Sequence, residues 1–177
     1  GVAAMTIVLY TQFIYSSVYF GFSNSCAPVI SYNYGSGNTL HLKKLFRYCL
    51  FIIGGSTVLM LGLSFFAARP LIALFTPAET SVFPLAYHGY VIFIWNFLFA
   101  GINVFASSLF SAFSNGGISA LISFLRTFVF IIGSLMTLPS FLGVDGLWLA
   151  VPVAEALTCF IAVPLMLIYG KRTYSYL

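Results

Sequence analysis

The chain has 177 residues, 61% of them hydrophobic and 6% charged, and a net charge of +4. About a quarter of an ordinary soluble domain is charged, so a soluble fold is excluded, in keeping with the mean hydropathy of +1.06. The basic residues stand in short loops and the tail, where they set membrane orientation rather than mark a nucleic-acid partner. Apolar runs longer than about 18 residues recur, as in spanning helices. The expected class is an all-α membrane protein, a five-helix bundle forming one transmembrane domain with lipid around it.

The first span is expected over about 3–34, long for a bilayer core of about 30 Å. Thr6, Tyr10, Ser17, Gly21, Asn24, Pro28 and Ser31 recur at helical steps, so this face should meet other helices or a water-filled cavity. The opposite face, with Ile7, Val8, Ile14, Val18 and Phe22, should meet lipid, and Pro28 should bend the last turns. Gly1 is not a methionine and lies inside what reads as a span. A preceding segment is therefore expected, and no signal peptide is visible.

The span leaves the membrane at Tyr34-Gly35-Ser36-Gly37-Asn38. The glycines there lack the third member and the preceding strand of a dinucleotide loop, so a turn and a helix start at Asn38 or Thr39 are expected. His41, Lys43, Lys44 and Arg47 follow. The second span, about 43–67, carries Gly54, Gly55, Ser56 and Gly62 for close helix packing. Arg69-Pro70 should end it, with Thr76-Pro77, Glu79 and Thr80 in an outer loop.

The third span, about 83–113, places Gly89, Asn96, Ala100, Asn103, Ser107, Ser111 and Ser114 on one face, read as the lining of a pathway or pocket. His88 reads as an interface residue near its outer end. The fourth span, about 118–138, lines Ser119, Ser123, Arg126, Gly133 and Thr137 along one side and should end at Pro139. The fifth, about 147–169, is anchored by Trp148 and followed by Lys171 and Arg172. Cys26, Cys49 and Cys159 have no paired or metal-like spacing and read as small buried hydrophobes.

Charge bias orients these spans. Lys43, Lys44, Arg47, Lys171 and Arg172 all fall on one side, taken as cytoplasmic, and only Arg69 on the other. Arg126 and Glu155 are the formal charges well inside spans. By helical rise each lies on the order of 13 Å from its membrane surface, near mid-bilayer. An ion pair between them is expected, either fixing the fourth helix on the fifth or acting as a proton site at Glu155. The substrate-pathway candidates are Tyr10, Ser17, Asn24, Asn96, Asn103, Ser107 and Ser123.

Three stretches together resemble the multidrug and toxic compound extrusion (MATE) family. They are Pro28-Val29-Ile30-Ser31-Tyr32-Asn33-Tyr34-Gly35; Leu121-Ile122-Ser123-Phe124-Leu125-Arg126; and Leu138-Pro139 with Gly143-Val144-Asp145-Gly146-Leu147-Trp148, Pro152 and Glu155. The resemblance implies a two-lobed transporter of twelve spans in a bacterial-type plasma (inner) membrane. This chain would be its C-terminal lobe without the first helix, its C-terminus cytoplasmic and an N-terminal lobe as partner. It implies export of drugs or other small cationic or amphipathic compounds by exchange for H+ or Na+, with no bound cofactor. One subgroup carries an acidic cation ligand on the helix matching the third span, where Ala100 to Asn103 offer no carboxylate, so no cation ligand is carried over. Aromatic residues, 19% of the chain, suit flat cations.

A lipid-linked oligosaccharide flippase of the same superfamily is the rival within transport. It would be expected to line its cavity with more basic residues than Arg126. A purely structural membrane subunit is another rival. An intramembrane enzyme is not expected, because the sequence has no His-Glu-x-x-His, no paired aspartates and no Ser-His pair at matching depth.

Overall fold

The computed structural model describes residues 2–75, 80 and 82–177. Thr76, Pro77 and Glu79 of the expected outer loop lie outside the described residues. The elements are α1 (Val2–Gly35), α2 (Thr39–Phe75), α3 (Val82–Phe93), a 3₁₀ turn (Ile94–Asn96), α4 (Phe97–Ala112), α5 (Gly116–Phe124), a π-helical turn (Leu125–Phe130), α6 (Ile131–Leu142) and α7 (Val144–Arg172). They make five rods, because α3 runs through the 3₁₀ turn into α4 and α5 through the π turn into α6. No strand occurs among the described residues.

Four of the rods, Thr39–Leu74, Val82–Ala112, Gly116–Leu142 and Val144–Arg172, are long and apolar enough to cross a membrane. The first rod has the length, 34 residues, and carries tyrosines, serines and Gln12 among its apolar residues. Both expected proline stops are corrected. Pro70 lies inside α2 and Pro139 inside α6. A proline removes one backbone donor, but packing holds both helices on course: Ala68 and Ile72 flank Pro70 fully buried.

The first rod's two faces are also corrected. Ile7 and Val8, expected to face lipid, are buried against Ala86, Tyr90 and Ile94, and Phe22 is half-buried against the inner core. Ile14 and Val18 are exposed, as expected of that face. Ser17, Gly21, Pro28 and Ser31 stand exposed on the surface of the bundle, whereas Asn24, on the same side, borders a cleft between helices, as expected of that face. Apolar residues surround this helix almost evenly, so periodicity offered little to choose its buried side.

The turns are chemically simple. Gly37 adopts φ +68, and Asn38 caps α2 by accepting from the His41 amide at 3.2 Å. Asn115 caps α5 by accepting from the Ile118 amide at 3.3 Å. At the far end of the bundle Gly89 admits the Trp148 ring, whose atoms would lie 2.2 Å from any Cβ there.

At the end holding the tail, Tyr174 and Tyr176 stack on Phe113, and the Tyr176 hydroxyl donates to the Met166 carbonyl at 2.7 Å. Burial pushes the Tyr176 phenol above its ordinary range, with Tyr174 adding to the shift. The cysteines are free, Cys49 buried and Cys26 and Cys159 half-buried.

His88, at the opposite end, pairs with Asp145 at 3.0 Å, joining α3 to the start of α7. Both side chains are more than half exposed. An exposed pair contributes at most about 1 kcal/mol and is screened by salt. Asp145→Asn is expected to move the thermal midpoint of the purified protein by no more than a degree or two in 150 mM salt. A larger drop would mean that this pair, and not the apolar packing beneath it, joins the two helices.

Candidate functional site

Glu155 projects from the middle of α7, where Ala150 and Ala154 let neighbouring helices approach closely; all three are buried. Arg126 comes from the π turn, which brings its guanidinium onto α7. Its Nη2 lies 2.7 Å from Glu155 Oε1 and its Nε donates to the same oxygen at 2.8 Å. Asn103, on α4, completes the group: its Nδ2 donates to Glu155 Oε2 at 2.7 Å and to the Glu155 backbone carbonyl at 2.8 Å. Both carboxylate oxygens are thereby occupied, as a buried charge requires. Glu155 is nearly sealed, its side chain 3% exposed against 17% for Arg126. Only the arginine reaches the surface.

That surface is the wall of a cleft of about 370 Å³ between α1, α4, α5 and the π turn. Asn24, Asn103, Ser107, Ser123 and Arg126 line it, with Phe20 and Val104 supplying apolar wall. Five of the nine candidate residues named from sequence thus share one cleft, and Glu155 lies behind it. The serines form a chain of their own: Ser107 shares hydrogen bonds with Ser119 at 3.0 Å and Ser123 at 2.8 Å, and Ser111 with Ser119 at 2.7 Å. The hydroxyls so joined present a polar strip whose hydrogens can rotate to suit a ligand.

The other three candidates lie elsewhere. Asn96 is buried in the 3₁₀ turn and donates to the Phe93 carbonyl at 2.6 Å, away from the cleft. Ser17 is exposed and bonded to its own helix at the Phe13 carbonyl. Tyr10 lines a shallow apolar groove on α1 with Thr6, Leu9 and Phe13.

Two features were not foreseen. One is Asn103 as the third member of the ion-pair group; its helical face was visible, but its contact across to α7 was not. The other is the π turn, a device often found where a helix must redirect a functional side chain. Apolar patterning gave no signal for it. No cluster of three metal-ligating side chains occurs among the described residues.

A family model described as MatE matches residues 1–136. No curated protein matches the chain. Among solved structures, the Vibrio cholerae MATE transporter VcmN in its bent form superposes with a TM-score of 0.85 at 24% identity, over 99% of this chain and 40% of that one. A point mutant of the same transporter gives the same figures. An outward-facing multidrug resistance MATE family transporter of the MOP superfamily gives 0.85 at 18% identity, over 99% and 39%. At these identities the likeness is one of fold, and the chain spans about 40% of the length of the solved proteins.

Proposed function

We propose, because this chain belongs to the MatE family, that it is the C-terminal lobe, less its first helix, of a secondary active exporter. In this reading all five rods cross the membrane, the hydroxyl-bearing face of α1 turns toward an N-terminal lobe, and Lys171 and Arg172 are cytoplasmic. The cargo is a small cationic or amphipathic organic compound, exchanged for H+ or Na+ across a bacterial-type plasma membrane. The observation that carries the proposal is the polar cleft with the Arg126–Glu155 pair in its wall.

The geometry suggests how cargo and proton could be linked. Glu155 has no free oxygen while Arg126 and Asn103 hold it. A proton or cation reaches the carboxylate only if Arg126 swings into the cleft it already lines. Cargo in the cleft and a proton on Glu155 would then compete through one side chain, as alternating access requires of coupled ligands.

A second reading is favoured by the same contacts. With both carboxylate oxygens engaged, the group can serve simply to lock α7 against α4 and the π turn. The flippase reading gains little, since Arg126 is the only basic residue among the described residues that line the cleft and is already paired.

Dye efflux from cells or vesicles carrying the full-length protein separates these readings. Collapsing the proton and sodium gradients one at a time is expected to stop efflux in one case. Efflux surviving both would count against antiport altogether. Glu155→Gln is expected to abolish gradient-driven efflux; unchanged coupling together with a lower melting temperature would end the proton-carrier role and leave the structural one.

A further inference from the structure

At the end of the bundle that holds the chain's C-terminal tail, the first turns of α2 and the returning tail enclose a pocket of about 240 Å³. It is lined by Lys43, Phe46, Arg47, Leu50, Tyr176 and Leu177. Its wall is firmly built. Phe46 packs on the Tyr176 ring at 4.4 Å, the Tyr176 amide donates to the Gly170 carbonyl at 3.1 Å, and its hydroxyl is fixed on Met166. Lys43 and Arg47, one helical turn apart, place two cations on the same face.

Neither cation forms an ion pair among the described residues. The sequence holds three acidic residues. Asp145 is on His88 at the opposite end and Glu155 is on Arg126; Glu79, outside the described residues, follows the far end of α2 in sequence. Two positive charges therefore sit over an apolar floor, and among the described residues neither acidic side chain, Asp145 or Glu155, is paired with them. Tyr48 and Phe51, on the following turn, are exposed, Phe51 at 82%. The charge and the grease are arranged in the order that a membrane lipid presents them.

We propose that this pocket binds the phosphate-bearing head group of an anionic phospholipid. Lys43 and Arg47 would hold the phosphodiester, and the start of the acyl chains would lie over Leu50 and along α2. Bias of basic residues to one side explains their presence but not a pocket between two of them. Basic pockets between helices at the membrane surface are a known way of holding such head groups. The assignment is independent of what the cleft transports.

The test is retention of lipid by the full-length protein after extraction from an equal mixture of phosphatidylglycerol and phosphatidylcholine, read by native mass spectrometry. The wild-type protein is expected to retain phosphatidylglycerol preferentially. Lys43→Gln and Arg47→Gln should each lower that preference roughly fivefold, and the double variant roughly 30-fold, at about 1 kcal/mol per cation. The control Lys44→Gln/Arg172→Gln removes the same charge outside the pocket and should change it by less than about twofold. The proposal is overturned if the wild type shows no preference, if both single variants keep it, or if the control pair loses as much as the pocket pair. It is equally overturned if millimolar inorganic phosphate displaces the lipid, since the site would then take a free anion.

Discussion

Replacing Arg126 with methionine is expected to destabilise the protein by about 3–5 kcal/mol, the cost of leaving a buried carboxylate without its partner. The asymmetry of burial sets the order of effects. Glu155 is almost sealed, and without the guanidinium its Oε1 loses both donors, leaving Asn103 alone on Oε2. Glu155→Gln should cost less, because the stranded arginine already reaches the cleft and can turn toward water. The double variant Arg126→Met/Glu155→Gln should recover part of the loss, since two neutral groups leave no buried charge. Thermal unfolding of the detergent-solubilised full-length protein, read as a double-mutant cycle, gives the coupling directly. Equal midpoints for Arg126→Met and the parent would show that the pair holds nothing together.

How far the sequence led to this site depends on the kind of signal. Charges are so scarce in the apolar runs that Arg126 and Glu155 announced themselves, and helical rise placed them at one depth on consecutive helices. Asn103, Ser107 and Ser123 followed from spacing, because a polar residue every three or four positions defines a side even when its partner is unknown. The architecture was legible for the same reason: membrane helices satisfy their backbone internally, so long apolar runs leave few alternatives.

Spacing failed where it had no contrast. On α1 the hydroxyls belong mostly to tyrosine and serine, which are at home in a core, at an interface or on a surface. Spacing therefore does not mark Ile7 and Val8 as the inner residues that they are. A proline stops an isolated helix, yet Pro70 and Pro139 lie inside helices carried through by the neighbours they pack against. The π turn at Leu125–Phe130 changes the angular step locally. No regular period could show that Arg126 points at α7 because of it.

The hairpin of α6 and α7 gives the second large expected effect, at a residue whose role is close backbone packing. Gly146 lies so close to α6 that an added Cβ would meet the Leu138 carbonyl carbon and oxygen at 2.4 Å and the Pro139 nitrogen at 2.6 Å. These are backbone atoms, and unlike a side chain they cannot rotate aside. Gly146→Ala should therefore push the two helices apart and cost about 3 kcal/mol, at the upper end of what overpacking produces. Gly133→Ala, elsewhere on α6, meets nothing within 4 Å; there helix propensity should leave stability unchanged or raise it by up to about 1 kcal/mol. The same hairpin carries Arg126 on its first arm and Glu155 on its second, so an opened base strains the ion pair farther along. Gly146→Ala and Arg126→Met should consequently be non-additive, the second change costing less once the first is present. Strict additivity of the two melting shifts would mean that the hairpin base and the ion pair are separate structural units.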